Sequence, residues 1–318
     1  MDTSTSEIQE AELFDLMLQK RNLTYDALES KQQALTFTTL ERLLHEKLGI
    51  TQIDQNVLIS LGLFKDGKIN TAAELLSEDN DLGNATLDII RFGETTSIFL
   101  DRIRLEKGSI LVQYQKALDL YYQYYKPVQV IEGMERITKI RIPESAYREA
   151  VANAIIHRDY LAAGNIQIAM FHDRITVSSP GGLPQGITRE IYLNDLVSVP
   201  RNPILAGVFF RLGIIELFGT GIVRIKDAYA DHAVKPVFKI DQTRIEVTLP
   251  VIPIDGILSD SEKILNDLAV HRELSRSRAE QLTGKSKAQV IALLDQLIQA
   301  KKVVRIGSGP ATRYQLKD

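Results

Sequence analysis

Cysteine is absent from this chain of 318 residues. That excludes disulfides and thiolate metal sites and agrees with a reducing compartment, so a cytoplasmic location is expected. No run of about 18 apolar residues occurs, and no membrane span is expected. The five histidines are scattered, with no pair at zinc-ligand spacing. The opening stretch MDTSTSEIQEAELF is polar and acidic, unlike a secretory signal. Internal repeats and low-complexity tracts are missing, as is a phosphate loop of the GxxxxGKS/T type. An excess of positive charge is missing too: the net charge is −3, which by itself does not mark a nucleic-acid binder. The composition is 44% hydrophobic and 25% charged, the balance of an ordinary globular protein. The length suggests roughly two or three domains.

The charge is unevenly spread. Residues 258–318 carry 11 Lys/Arg against 7 Asp/Glu, a net of +4, which leaves −7 on the rest. A locally basic module on an acidic body is the asymmetry expected of a nucleic-acid reader.

Along the chain, residues 1–80 read as a helical region. Apolar residues recur at helical spacing over 34–47 and 56–64, Lys65-Asp66-Gly67-Lys68 is a turn, and 69–76 is helical. Residues 81–250 read as α+β. Strands are expected within 86–104, at 137–142, in a hairpin at 165–171 and 174–178, and in a second hairpin at 238–240 and 244–249. Helices are expected at 108–125, at 144–157 with Pro143 at the start, at 202–212 and at 221–230. The tyrosines closing the 108–125 helix suit helix packing or, alternatively, base stacking. Residues 251–257, with two prolines and a glycine in PVIPIDG, form a linker.

Residues 258–318 give three helices, at 259–269, 275–282 and 286–300, then a hairpin with a Gly-Ser-Gly-Pro tip. This is the order of a winged helix-turn-helix. Its third helix would enter the major groove with Lys285, Ser286, Lys287 and Gln289 near its start. Lys301, Lys302, Arg305 and Arg313 would lie along phosphates, which supply affinity without sequence information. The alternative use of such a module is protein contact.

The stretch Arg148-Glu149-Ala150-Val151-Ala152-Asn153-Ala154-Ile155-Ile156-His157-Arg158-Asp159-Tyr160 resembles the signature of RecG-like, Schlafen-associated bacterial regulators. The resemblance continues through Asp173-Arg174-Ile175, Ser179-Pro180-Gly181-Gly182-Leu183-Pro184, Arg201-Asn202-Pro203 and Gly219-Thr220-Gly221-Ile222, and covers roughly residues 35–250. It implies a GHKL-like α/β sandwich, related to the ATPase domains of gyrase, Hsp90 and histidine kinases, with ATP and Mg²⁺ as cofactors. Glu149 and Asn153 match the family's N-box; at i and i+4 they share one helix face. The resemblance gives Glu149 the catalytic role of orienting water and Asn153 that of holding Mg²⁺, with His157 one turn further on. Gly219, Thr220 and Gly221 match the second glycine box, where close backbone approach and helix N–H groups suit phosphate. Gly181 and Gly182 fall in the place of the first box, and Ser178 aligns with its adenine-binding aspartate, without the carboxylate's charge-assisted pairing. Family members commonly begin with an AlbA domain, which this sequence lacks.

Plainer readings stand beside these. Glu149 could pair with a cation such as Arg158, and Asn153 could be a satisfied helix polar residue. His157–Tyr160 could be a polar network holding a turn, the Gly219–Gly221 box a tight turn, and Arg201-Asn202-Pro203 a loop anchor. Three functions are open: a homodimeric DNA-binding transcriptional regulator that senses a nucleotide, a Mg²⁺-dependent ATPase acting on DNA, or a non-catalytic oligomerisation scaffold.

Overall fold

The structure is a computed structural model. It describes residues 17–317 apart from 19, 22, 94, 133–134, 185, 195–198, 217, 254–259, 308 and 310–311. The polar opening stretch, most of the expected linker and part of the hairpin tip therefore lie outside the described residues.

After a 3₁₀ turn at Tyr25–Ala27 come helices α1 (Thr38–Leu48), α2 (Gln55–Ser60) and α3 (Thr71–Leu76). Between α2 and α3 a small hairpin pairs β1 (Phe64–Lys65) with β2 (Lys68–Ile69). Its turn puts Asp66 and Gly67 at positive φ, as a two-residue hairpin of this hand requires. Every residue of α3 is buried. A helix buried all round belongs inside a core, and Leu40, Leu44, Leu75 and Leu76 share one hydrophobic cluster with the central sheet. The described part of residues 17–80 thus completes the core built on that sheet.

The central sheet has six strands in the order β4-β3-β7-β8-β10-β9. They are β3 (Leu87–Phe92), β4 (Phe99–Leu105), β7 (Ile166–Met170), β8 (Arg174–Pro180), β9 (Val237–Ile240) and β10 (Arg244–Pro250). β3 and β7 run parallel, and the other neighbours antiparallel. A parallel pair needs a long crossover. Here it contains α4 (Ile110–Tyr124), a hairpin of β5 (Val128–Glu132) and β6 (Glu135–Lys139), and α5 (Glu144–Ile156). The tyrosines of α4 serve packing: Tyr121 stacks on Tyr147 of α5 with ring centres 4.8 Å apart, and its hydroxyl donates to the Ile142 carbonyl. After β8 come α6 (Arg189–Asn194), α7 (Pro203–Arg211) and α8 (Gly221–Asp227).

α5 is the central helix. It buries Ala146, Tyr147, Glu149, Ala150, Val151, Ala152, Ala154, Ile155 and Ile156. Its alanines let neighbouring backbone come close, and Ser179 of β8 donates from Oγ to the Ala154 carbonyl at 2.7 Å.

The chain divides into two compact units, Met1–Val128 with Ile140–Ile252, and Gln129–Lys139 with Pro253–Asp318. The second contains α9 (Asp260–His271), α10 (Arg276–Thr283), α11 (Lys287–Gln299) and a hairpin of β11 (Val303–Ile306) with β12 (Arg313–Leu316). It has its own core of Ile264, Leu268, Leu274, Ala279, Val290, Leu294, Leu297, Val303 and Tyr314. A bridge from Leu274 to Tyr314 ties the segment between α9 and α10 to the hairpin. α10 is capped by Ser275, whose hydroxyl accepts from the Arg278 amide, and ends at Gly284 in the left-handed region.

The expected strand at 137–142 sits earlier, as β6. β5 and α6 were not foreseen, and β8 runs two residues beyond the expected end. No described helix is long and apolar enough to cross a membrane.

Candidate functional site

Glu149 and Asn153 lie one turn apart on α5 and touch: Asn153 Nδ2 donates to Glu149 Oε1 at 3.1 Å. The turn entering α8 rests on the pair. A Cβ added to Gly221 would collide with Glu149 Oε1 and come within 2.8 Å of Asn153 Nδ2. Only glycine fits here undisturbed, so the sequence-predicted second glycine box and N-box are brought together. Gly219 supplies the positive φ of the turn. Thr220 caps α8 without a side-chain cap bond, and its Oγ1 is buried with no partner.

Glu149 is 6% exposed. Burial raises its pKa above the ordinary carboxylate range, while Arg224 and Asn153 pull it down. The cation paired with Glu149 is Arg224, with Nη1 3.5 Å from Oε2, rather than Arg158. Arg224 also pairs with Glu216. Sequence reasoning missed it, although it lies on the turn after Gly221 and so on a face that α8 turns towards Glu149.

Glu149, Asn153, His157, Gly182, Glu216, Gly219 and Gly221 line one cleft of about 70 Å³, with Ile156, Ile187, Tyr192, Ile215, Ile222 and Ile245 among its apolar walls. Its described lining holds carboxylates but no lysine or arginine. His157 keeps some surface, yet burial, and then the nearby Arg201, lower its pKa to about 4, so it is neutral at physiological pH.

The first glycine box is placed differently from expectation. Strand alternation sets neighbouring side chains on opposite faces. Val177 and Ser179 face α5, so Ser178 points to the other face of the sheet, away from the cleft. The expected adenine contact at Ser178 is therefore corrected; the serine on the cleft side is Ser179, already bonded to Ala154. Gly181 and Gly182 are required by close approaches within the protein itself. A Cβ on Gly181, at φ +101, would meet Asp159 Cβ at 2.5 Å, and one on Gly182 would meet the Gln242 carbonyl at 2.6 Å.

The His157–Tyr160 segment is a polar network. Asp159 accepts from Arg201 Nη1 at 3.2 Å, and Arg201 Nη2 donates to the Gly182 carbonyl at 3.0 Å. Asn202 Nδ2 donates to the carbonyls of Ile156 and Arg158, both at 2.9 Å. Arg158 is fully buried, with Nη2 donating to Gly164 O at 2.6 Å and Nε and Nη1 unpartnered. Arg201-Asn202-Pro203 thereby anchors the chain leaving the cleft.

In the second unit the eight expected contact residues separate into groups. Ser286 and Gln289 engage each other in a capping box, with Ser286 Oγ 2.9 Å from Gln289 Oε1. Lys285 pairs with Asp260 at 3.1 Å. Lys301 and Lys302 lie in the turn before β11. Lys287, Arg305 and Arg313 line one groove, joined by Arg276, which sequence reasoning did not single out.

Residues 164–249 match a family described as "Putative ATP-dependent DNA helicase recG C-terminal", an HATPase-type family. The match takes in β7, β8, both glycine segments, β9 and β10, and begins after Glu149 and Asn153. Among solved structures, the DIP2311 protein from Corynebacterium diphtheriae is similar in fold, with a TM-score of 0.63 at 21% identity, covering 97% of this chain and 67% of that chain. No curated protein matches the chain.

Proposed function

We propose that the chain is a DNA-binding transcriptional regulator whose GHKL-like unit binds a nucleotide with Mg²⁺ and whose winged helix-turn-helix binds DNA, acting as a homodimer. The observation that carries the nucleotide half is the contact of Gly221 with the Glu149–Asn153 pair at the floor of an apolar-walled cleft.

The residues fit the group. Asn153 Oδ1 and the Glu149 carboxylate are hard oxygen donors of the kind Mg²⁺ takes alongside phosphates. The Gly219–Gly221 turn admits close approach, and Thr220 Oγ1 is a buried hydroxyl awaiting a partner. Arg224 is already engaged by Glu149 and Glu216 and no cation stands on the described lining, so Mg²⁺ would supply the positive charge a triphosphate needs. Asn153 would hold the metal and the phosphates would sit by the glycine turn. The apolar walls would take the base, with Ser178 playing no part. Glu149 is the group placed to orient water, but Arg224 engages it, so binding with slow or no turnover is the expected behaviour. A Mg²⁺-dependent ATPase is the second reading, favoured by the same carboxylate if Arg224 moves away.

For the DNA half, three helices and a hairpin on one core, with four cations on one groove, support the winged-helix reading. The test is calorimetric titration of ATP into the protein with and without Mg²⁺, wild type beside Asn153→Ala. Saturable heat that needs both Mg²⁺ and Asn153 is expected. Absence of heat in the wild type would overturn the nucleotide half and leave a scaffold.

A further inference from the structure

We propose that the smaller unit recognises thymine-rich duplex DNA through thymine methyl groups packed on its third helix; this rests on the DNA-binding reading above. α11 buries Val290, Leu294 and Leu297. The helical period then turns Ala288, Ile291, Ala292 and Asp295 outward, and all four are exposed. At the start of the helix the Ser286 amide and hydroxyl both donate to Gln289 Oε1, which fixes that side chain against the cap. The outward surface therefore includes an apolar ledge of Ala288, Ile291 and Ala292, flanked by the exposed Lys287 and Gln289.

The ledge does not stand alone. Arg276, Lys287, Arg305 and Arg313 line the groove that Ile291 and Asp295 also line. Lys287 and Arg305 have no side-chain partner among the described residues. Cations beside an apolar strip fit a polyanion that presents methyl groups between two lines of charge. The major groove of duplex DNA is such a surface: thymine alone offers a methyl there, and the flanking phosphates suit the four cations. Asp295, at the far end of the ledge, keeps phosphate off it.

The test compares binding of the full chain to an A·T-rich duplex of about two helical turns with the same duplex carrying deoxyuridine for every thymine, which removes only the methyls. Fluorescence anisotropy at one fixed low salt gives both affinities. The expected result is a loss of about fourfold for each methyl buried against the ledge. Ile291 is 38% exposed, so Ile291→Asn leaves the fold intact; it is expected to bring the thymine-to-uridine ratio close to unity while sparing affinity for the uridine duplex. Equal wild-type affinity for the two duplexes would overturn methyl readout and leave DNA binding standing. No binding to either duplex would overturn the DNA reading itself.

Discussion

Glu149 is a buried carboxylate that the fold holds against its own interest. Its pKa is raised, so the folded protein binds the proton more tightly than the unfolded chain. Stability then falls as pH rises from the ordinary carboxylate value through the raised one, and the penalty is complete above it. Glu149→Gln is therefore expected to raise the melting temperature at neutral pH. The gain should vanish below the ordinary carboxylate range. A lower melting temperature at neutral pH would mean that the Arg224 pair outweighs burial. His157 runs the opposite way. Its pKa drops from 6.5 to about 4, so the unfolded chain takes up the proton first and stability is lost as pH falls across that interval. His157→Gln should flatten the pH dependence of melting there, and an unaltered slope would refute the assignment. Gly221→Ala drives a methyl into both Glu149 and Asn153. Overpacking of this kind costs about 1–3 kcal/mol, and Mg²⁺-dependent ATP binding should be lost with it; retained affinity would show that the pair can move aside. The spacing of Glu149 and Asn153 was legible in the sequence because one helix turn is a fixed distance. Arg224 was not, because its partnership depends on where α8 lands.

At the scale of elements, Asp26 caps a helix far away in sequence. Its Oδ2 accepts from the amides of Ile204 and Leu205, at 2.8 and 3.1 Å, at the start of α7. Helix N-termini leave such amides without partners, and Pro203 before them has no N–H to offer. Asp26→Ala should cost about 1–2 kcal/mol in urea unfolding, as lost caps do, whereas Asp26→Asn keeps an acceptor and should cost less; equal losses would point to packing instead. No sequence pattern announces a cap supplied from another part of the chain. The same limit explains other differences. α6 buries no residue, so it has no apolar period to read. Ser178 and Ser179 were separable only once β8 was known to run through Pro180, since alternation gives a face only inside a strand. The long amphipathic α4, by contrast, and the element order from α9 to β12 were plain from periodicity and capping residues.

At the scale of the molecule, two separate hydrophobic cores serve one chain. Cores without shared residues can melt apart. Scanning calorimetry is expected to show two transitions. Leu294→Ala, at a fully buried site, should lower only the smaller one, by the equivalent of about 2–5 kcal/mol. A single transition shifted as a whole would contradict independence. The boundary near 251–257 was visible in its prolines, while the merging of the described N-terminal helices with the sheet was hidden, because burial of α3 on every side shows only when its neighbours are in place.

The second unit also takes in Gln129–Lys139, a hairpin that the chain makes long before it reaches α9. Residues from 253 onward are therefore a poor cassette for grafting. Transplanted alone, they carry their core but not this hairpin. A truncated body keeps the hairpin without the residues it groups with, and strand edges left unpaired invite aggregation. Insolubility after such a deletion would thus report on threading of the chain, and an excised module is better taken together with a linker-joined copy of 129–139.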